Sequence, residues 1–135
     1  MKKLIATALF SALFCTSALA YTHTTEDQAD VAQLQKYAQQ GNFDEVKALS
    51  LKLAKKSNPT GLGYLGYVDT YPLTIKFFEE NGTKSTKEDV IRAVFELEQN
   101  CVEKHNLTSC RLWEQSQLNG RAYLDKLDIL NGERK

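Results

Sequence analysis

Histidine, proline, methionine and tryptophan are all scarce in this chain: two His, two Pro, one Met and one Trp among 135 residues. With imidazole only at His23 and His105, there is little from which to build a histidine general base or a zinc site. Net charge is missing as well, since 17 Lys and Arg balance 17 Asp and Glu. A chain so balanced has no electrostatic footprint for nucleic acid or for an anionic membrane surface. No segment alternates apolar and polar residues with period two for long enough to predict a strand. Nor does any apolar run reach the roughly 20 residues needed to span a bilayer. No nucleophile signature built on Ser or Cys is present either, and carboxylates such as Glu79 and Glu80, or Glu96 and Glu98, fall on what read as ordinary charged helix faces. Catalysis is therefore not expected.

What is present begins with a leader. Lys2 and Lys3 precede an apolar run, and Ala18-Leu19-Ala20 forms a small-x-small cleavage site ahead of Tyr21. This pattern predicts a signal peptide over residues 1–20 and an exported, periplasmic or secreted, single helical domain over residues 21–135. Cys15 follows Leu13-Phe14, too bulky for a lipoprotein signal. The leader carries two of the 17 basic residues and none of the 17 acidic ones, so the mature chain holds 15 against 17, a formal charge of −2.

Cleavage removes Cys15 and leaves Cys101 and Cys110 as an even pair in an oxidising compartment, which predicts one disulfide. A redox or zinc role would more commonly use Cys-x-x-Cys, and no second Cys or His pair is there to complete a metal site.

Helical spacing recurs through the rest. Val31, Leu34 and Ala38 mark a helix over residues 26–40, which Gly41 stops; Val46, Leu49 and Leu53 mark a second over 43–56. Asn58-Pro59-Thr60-Gly61 breaks the pattern, and residues 62–71 read as a short helix or a strand-like piece, with Pro72 opening another helix that ends at Asn81-Gly82. Thr86 and Asp89 resemble a capping pair for a long helix to about His105, with Val90, Val94, Leu97 and Cys101 in one row. Asn106 breaks that helix and residues 107–117 resume it. A last helix holds Tyr123, Leu124, Leu127 and Leu130, with Asn119-Gly120 as a candidate interruption. The expected fold is all-α: a small bundle of five to six helices arranged as αα-hairpins, with one disulfide.

Gly61-Leu62-Gly63-Tyr64-Leu65-Gly66 fits the spacing of a dinucleotide-binding turn, but a lysine-rich helix end and Pro59 stand where that motif needs a buried strand. The glycines instead suit close helix packing. Tyr64, Tyr67 and Tyr71 are either partly core or, displayed together, a contact surface for a protein partner, with Trp113 either a further anchor or simply core. Cleavage after Ala20 would also create Tyr21-Thr22-His23, whose α-amine, backbone amides and imidazole can wrap Cu(II) or Ni(II) in a square plane. Asn81-Gly82-Thr83 and Asn106-Leu107-Thr108 are glycosylation sequons.

The segments Tyr37-Ala38-Gln39-Gln40-Gly41-Asn42 and Gly63-Tyr64-Leu65-Gly66-Tyr67, with the Cys101 to Cys110 hairpin, resemble pieces of tetratricopeptide-type and cysteine-rich Sel-type helical repeats. That resemblance implies stacked helix pairs and protein binding on a concave face, although no period of about 34 to 40 residues joins the pieces. The leading expectation is an exported helical protein-binding module, such as an inhibitor or immunity protein, acting on a partner in the cell envelope. Metal handling or envelope-stress function through Tyr21 and His23, and an enzyme of unrecognised type, are the alternatives.

Overall fold

Small polar side chains set where four of the described helices start. A computed structural model describes residues 24–130 and their side chains to residue 128. The described residues form five helices: α1 Thr25–Gln40, α2 Phe43–Ala54, α3 Pro59–Glu80, α4 Lys87–Val102 and α5 Leu107–Leu130. Thr24 Oγ1 accepts from the Asp27 amide at 3.0 Å, Asn58 Oδ1 from that of Gly61 at 3.0 Å, and Asn106 Oδ1 from that of Ser109 at 2.9 Å. At α4 the Thr86–Asp89 pair is reciprocal, each side chain bonded to the other's amide at 3.2 and 3.1 Å. Each cap satisfies an amide that the first helical turn leaves without a partner.

The α1–α2 hairpin turns at Gly41, whose φ of 77° lies in the left-handed region. The Gly41 amide donates to Ala38 O and the Asn42 amide to Tyr37 O, closing the helix end as a Schellman motif. Arg92 of α4 lies across this turn and donates to Gln40 O at 3.2 Å. Along the hairpin Lys52 meets Asp30 at 3.0 Å and Glu26 at 3.4 Å, while Lys56 meets the buried Asp27 at 3.0 Å. Lys56 chiefly, against the opposing cost of burial, holds the Asp27 carboxyl below its ordinary value.

Helix α3 is the spine. Its first two turns, from Gly61 to Gly66, are buried on every side, which is what an all-apolar helical segment requires. Its closest neighbour is α5, and small residues set the approach. A β-carbon at Gly66 would collide with the Ser116 carbonyl, and one at Gly120 with the Leu62 carbonyl, so the two backbones touch at both places. Gly63 leaves room for the Trp113 ring and Gly61 for Leu53. The glycine spacing is thus taken up by helix packing. Leu34, Ala38, Val46, Tyr64, Val68, Ile91, Val94 and Trp113 form the main core, and Ala54, Leu62, Leu65 and Leu124 a smaller one.

The expected break at Pro72 is absent, and the candidate interruption at Asn119-Gly120 does not occur. Pro72 lies inside α3, and Asn119-Gly120 inside α5. The buried rows explain both: Tyr64, Val68, Tyr71 and Ile75 stay in helical phase across Pro72, and Trp113, Ser116, Gly120 and Leu124 across Gly120. Pro72 is exposed, so the carbonyl four residues before it, which proline cannot bond, is the local cost. The other expected breaks, at Gly41, Asn58-Pro59, Asn81-Gly82 and Asn106, all hold; at the last, α4 ends at Val102 and His105 takes a left-handed φ of 52° before α5 begins. The Cys101 and Cys110 sulfurs are at disulfide distance, with Cα atoms 4.6 Å apart, and join the two helices across this turn. Among the described residues there is no strand, and no helix is long and apolar enough to cross a membrane.

Candidate binding groove

Tyr64, Tyr67 and Tyr71 follow one another at spacings of three and four and so share a face of α3, but that face is turned inward. Tyr64 is 0 % exposed, and its ring meets Trp113 edge-on at 5.3 Å between centroids. Its hydroxyl donates to Glu98 Oε1 at 2.6 Å, and Gln35 Nε2 donates to Glu98 Oε2 at 2.9 Å. Burial raises the Tyr64 phenol, and the neighbouring Glu98 charge raises it further. Tyr71 packs edge-on against Phe43 at 4.5 Å. Of the two readings of these residues, the core one holds for Tyr64 and Trp113, and the three tyrosines are not displayed together: a helix that buries its aromatic row cannot also present it.

Tyr67 is the exception. Beyond Tyr64 an open groove of about 370 Å³ lies between the C-terminal half of α3 and α4. Tyr67, Thr74 and Phe78 form one wall; Val90, Ala93, Val94 and Leu97 of α4 form the other, with Leu112 of α5 completing it. Asp89 and Ser85 supply polar groups where the loop enters α4. The Thr86 backbone and side chain hold the Asp89 carboxyl low, so it is committed to the helix cap. Burial raises the Tyr67 phenol.

Apolar surface continues beyond the groove. Leu112 remains 49 % exposed while lining it, and on the outer side of α3 Leu73 is 70 % and Phe77 59 % exposed. Large apolar side chains left in water one helical turn apart are the kind of feature that marks an interaction surface. A pocket of this size with few polar groups suits apolar atoms of a ligand rather than a charged one.

Glu98 is the residue that sequence reasoning placed wrongly. Assigned to a charged face, it is 2 % exposed. The signal was its phase: it follows Val90 and Val94 at intervals of four, on the buried row of α4.

Among the described residues no three His, Cys, Asp or Glu side chains converge as a metal-binding group. Tyr21 and His23, the proposed copper or nickel ligands, lie outside the described residues, as does the leader. His105 is exposed in the α4–α5 turn. No protein-family model, curated protein or solved structure matches the chain. The likeness to tetratricopeptide-type and Sel-type repeats rests on the residues that carry it.

Proposed function

We propose that this chain is an exported helical module that binds a protein partner in the cell envelope, receiving apolar side chains of that partner in the groove between α3 and α4. The groove carries the reading: its walls are Tyr67, Phe78, Val94 and Leu97, and Leu112 stays half in water while lining it. An amphipathic helix laid into such a groove would place residues at intervals of three and four against both walls. The leader and the cysteine pair fit a partner met outside the cytoplasm. Inhibition of an envelope enzyme, or immunity against an envelope toxin, is the form of activity that occupying a partner would give.

The test is affinity purification of the mature, disulfide-intact protein from its native envelope, beside an Ala93→Lys variant. Ala93 is exposed and lines the groove, and a lysine there lies four residues after Asp89, a favourable helical spacing, so the fold is expected to survive. One stoichiometric partner retained by the wild type and lost by the variant is the expected result. Equal retention by both would exclude the groove.

A further inference from the structure

We propose that Glu98, Tyr64 and Gln35 form a proton-responsive clamp at the inner end of the groove, holding α1, α3 and α4 together more tightly in acid than at neutral pH. The placement comes first. Glu98 follows the groove residue Leu97, Tyr64 sits one helical turn before Tyr67, and Gln35 belongs to α1. The carboxylate thus ties three helices together through bonds of 2.6 and 2.9 Å, one residue from the groove-lining Leu97.

The chemistry of its surroundings is one-sided. From α1 the group facing the carboxylate is the Gln35 amide, and from α3 the Tyr64 phenol; the Trp113 ring of α5 covers Tyr64. Among the described residues no Lys, Arg or His forms an ion pair with Glu98. A carboxylate removed from water without a cation is costly to keep charged, and two hydrogen bonds offset only part of that cost. Burial accordingly raises the carboxyl above its ordinary value, against the opposing pull of the Tyr64 and Gln35 bonds.

Protonation needs no loss of bonding. One proton from water adds to Oε2, the Tyr64 hydroxyl keeps its proton and goes on donating to Oε1, and the Gln35 amide turns over so that its carbonyl oxygen accepts from the new O–H. The neutral cluster keeps two hydrogen bonds and loses the buried charge. Because the folded state binds this proton more tightly than the unfolded chain, the stabilisation is complete below the unfolded value of about 4.3. It then declines as pH rises towards the folded value.

Glu98→Gln imitates the protonated form, since its amide can accept from Tyr64 and donate to the turned Gln35. Urea unfolding of the disulfide-intact wild type and of Glu98→Gln from pH 4 to pH 8 tests the clamp with no partner present, so its outcome is independent of what the groove binds. The wild-type folding constant should fall relative to that of the variant by about tenfold for each unit by which the fold raises the carboxyl. A ratio that stays constant with pH would overturn the clamp. Should the variant not fold, carbon NMR of the Glu98 carboxyl in the wild type decides instead: a midpoint above that of free glutamate is expected, and one at or below it refutes the proposal.

Discussion

Replacing Gly66 by alanine separates two opposing effects whose signs are known. In a helix interior alanine is favoured over glycine by about 0.8–1 kcal/mol, so propensity alone predicts a more stable protein. The new β-carbon, however, would meet the Ser116 carbonyl, and its neighbour across the crossing, Gly120, already lies against the Leu62 carbonyl. These obstacles are backbone atoms in two packed helices, so no side chain can swing aside. Helices α3 and α5 must move apart, which loosens the contacts of Tyr64 with Trp113 and of Leu62 and Leu65 with Leu124. Overpacking of this kind costs about 1–3 kcal/mol, and backbone collision places it at the upper end. The expected net change is a loss of about 2 kcal/mol, read as a lower urea midpoint at constant m-value. Gly66→Ala and Gly120→Ala force the same crossing apart, so the double variant should lose less than the sum of the two. A Gly66→Ala protein as stable as the wild type, or more so, would refute the close crossing.

Thr86→Ala removes the reciprocal cap of α4 and should cost about 1 kcal/mol in thermal or urea unfolding, whereas Thr83→Ala in the preceding loop should change little. Serine at both Cys101 and Cys110 opens a short loop and should cost on the order of 2–3 kcal/mol, measured against the oxidised wild type. Tyr64→Phe withdraws a donor from the charged form of Glu98, so it should steepen the loss of stability with rising pH; an unchanged pH profile would contradict that bond. Asp27 acts in the opposite direction. Its carboxyl is held low in the fold, so its contribution is present above the unfolded value of about 3.9 and is lost as pH falls through the depressed one. Asp27→Asn should therefore flatten the acid limb of the stability profile and leave the decline at higher pH to Glu98.

Periodicity made most of this fold legible. The Leu34–Ala38 and Val46–Leu53 rows, the Gly41 turn and the Thr86–Asp89 pair all act locally, and local rules describe them. Pro72 misled because it was read as a helix start on residue type alone, and Asn119-Gly120 stayed open for the same reason, while the buried rows on either side remain in phase through both. Gly120 is needed for an approach to Leu62, 58 positions earlier in the chain, which no local window contains. The same distance in sequence hid the groove. Tyr67, Leu97 and Leu112 come from three different helices, and only their placement in the fold shows that they line one groove. Glu98 could have been found from the Val90–Val94 row, but its partners Gln35 and Tyr64 come from two other helices.

The binding role is tested most directly by mapping where a captured envelope partner sits, using amide hydrogen exchange on the free and bound protein. Slowed exchange centred on residues 67–78 and 90–97, abolished by Ala93→Lys, is the result the groove predicts. Protection confined to α1 and α2, with the α3–α4 groove unchanged, would contradict it.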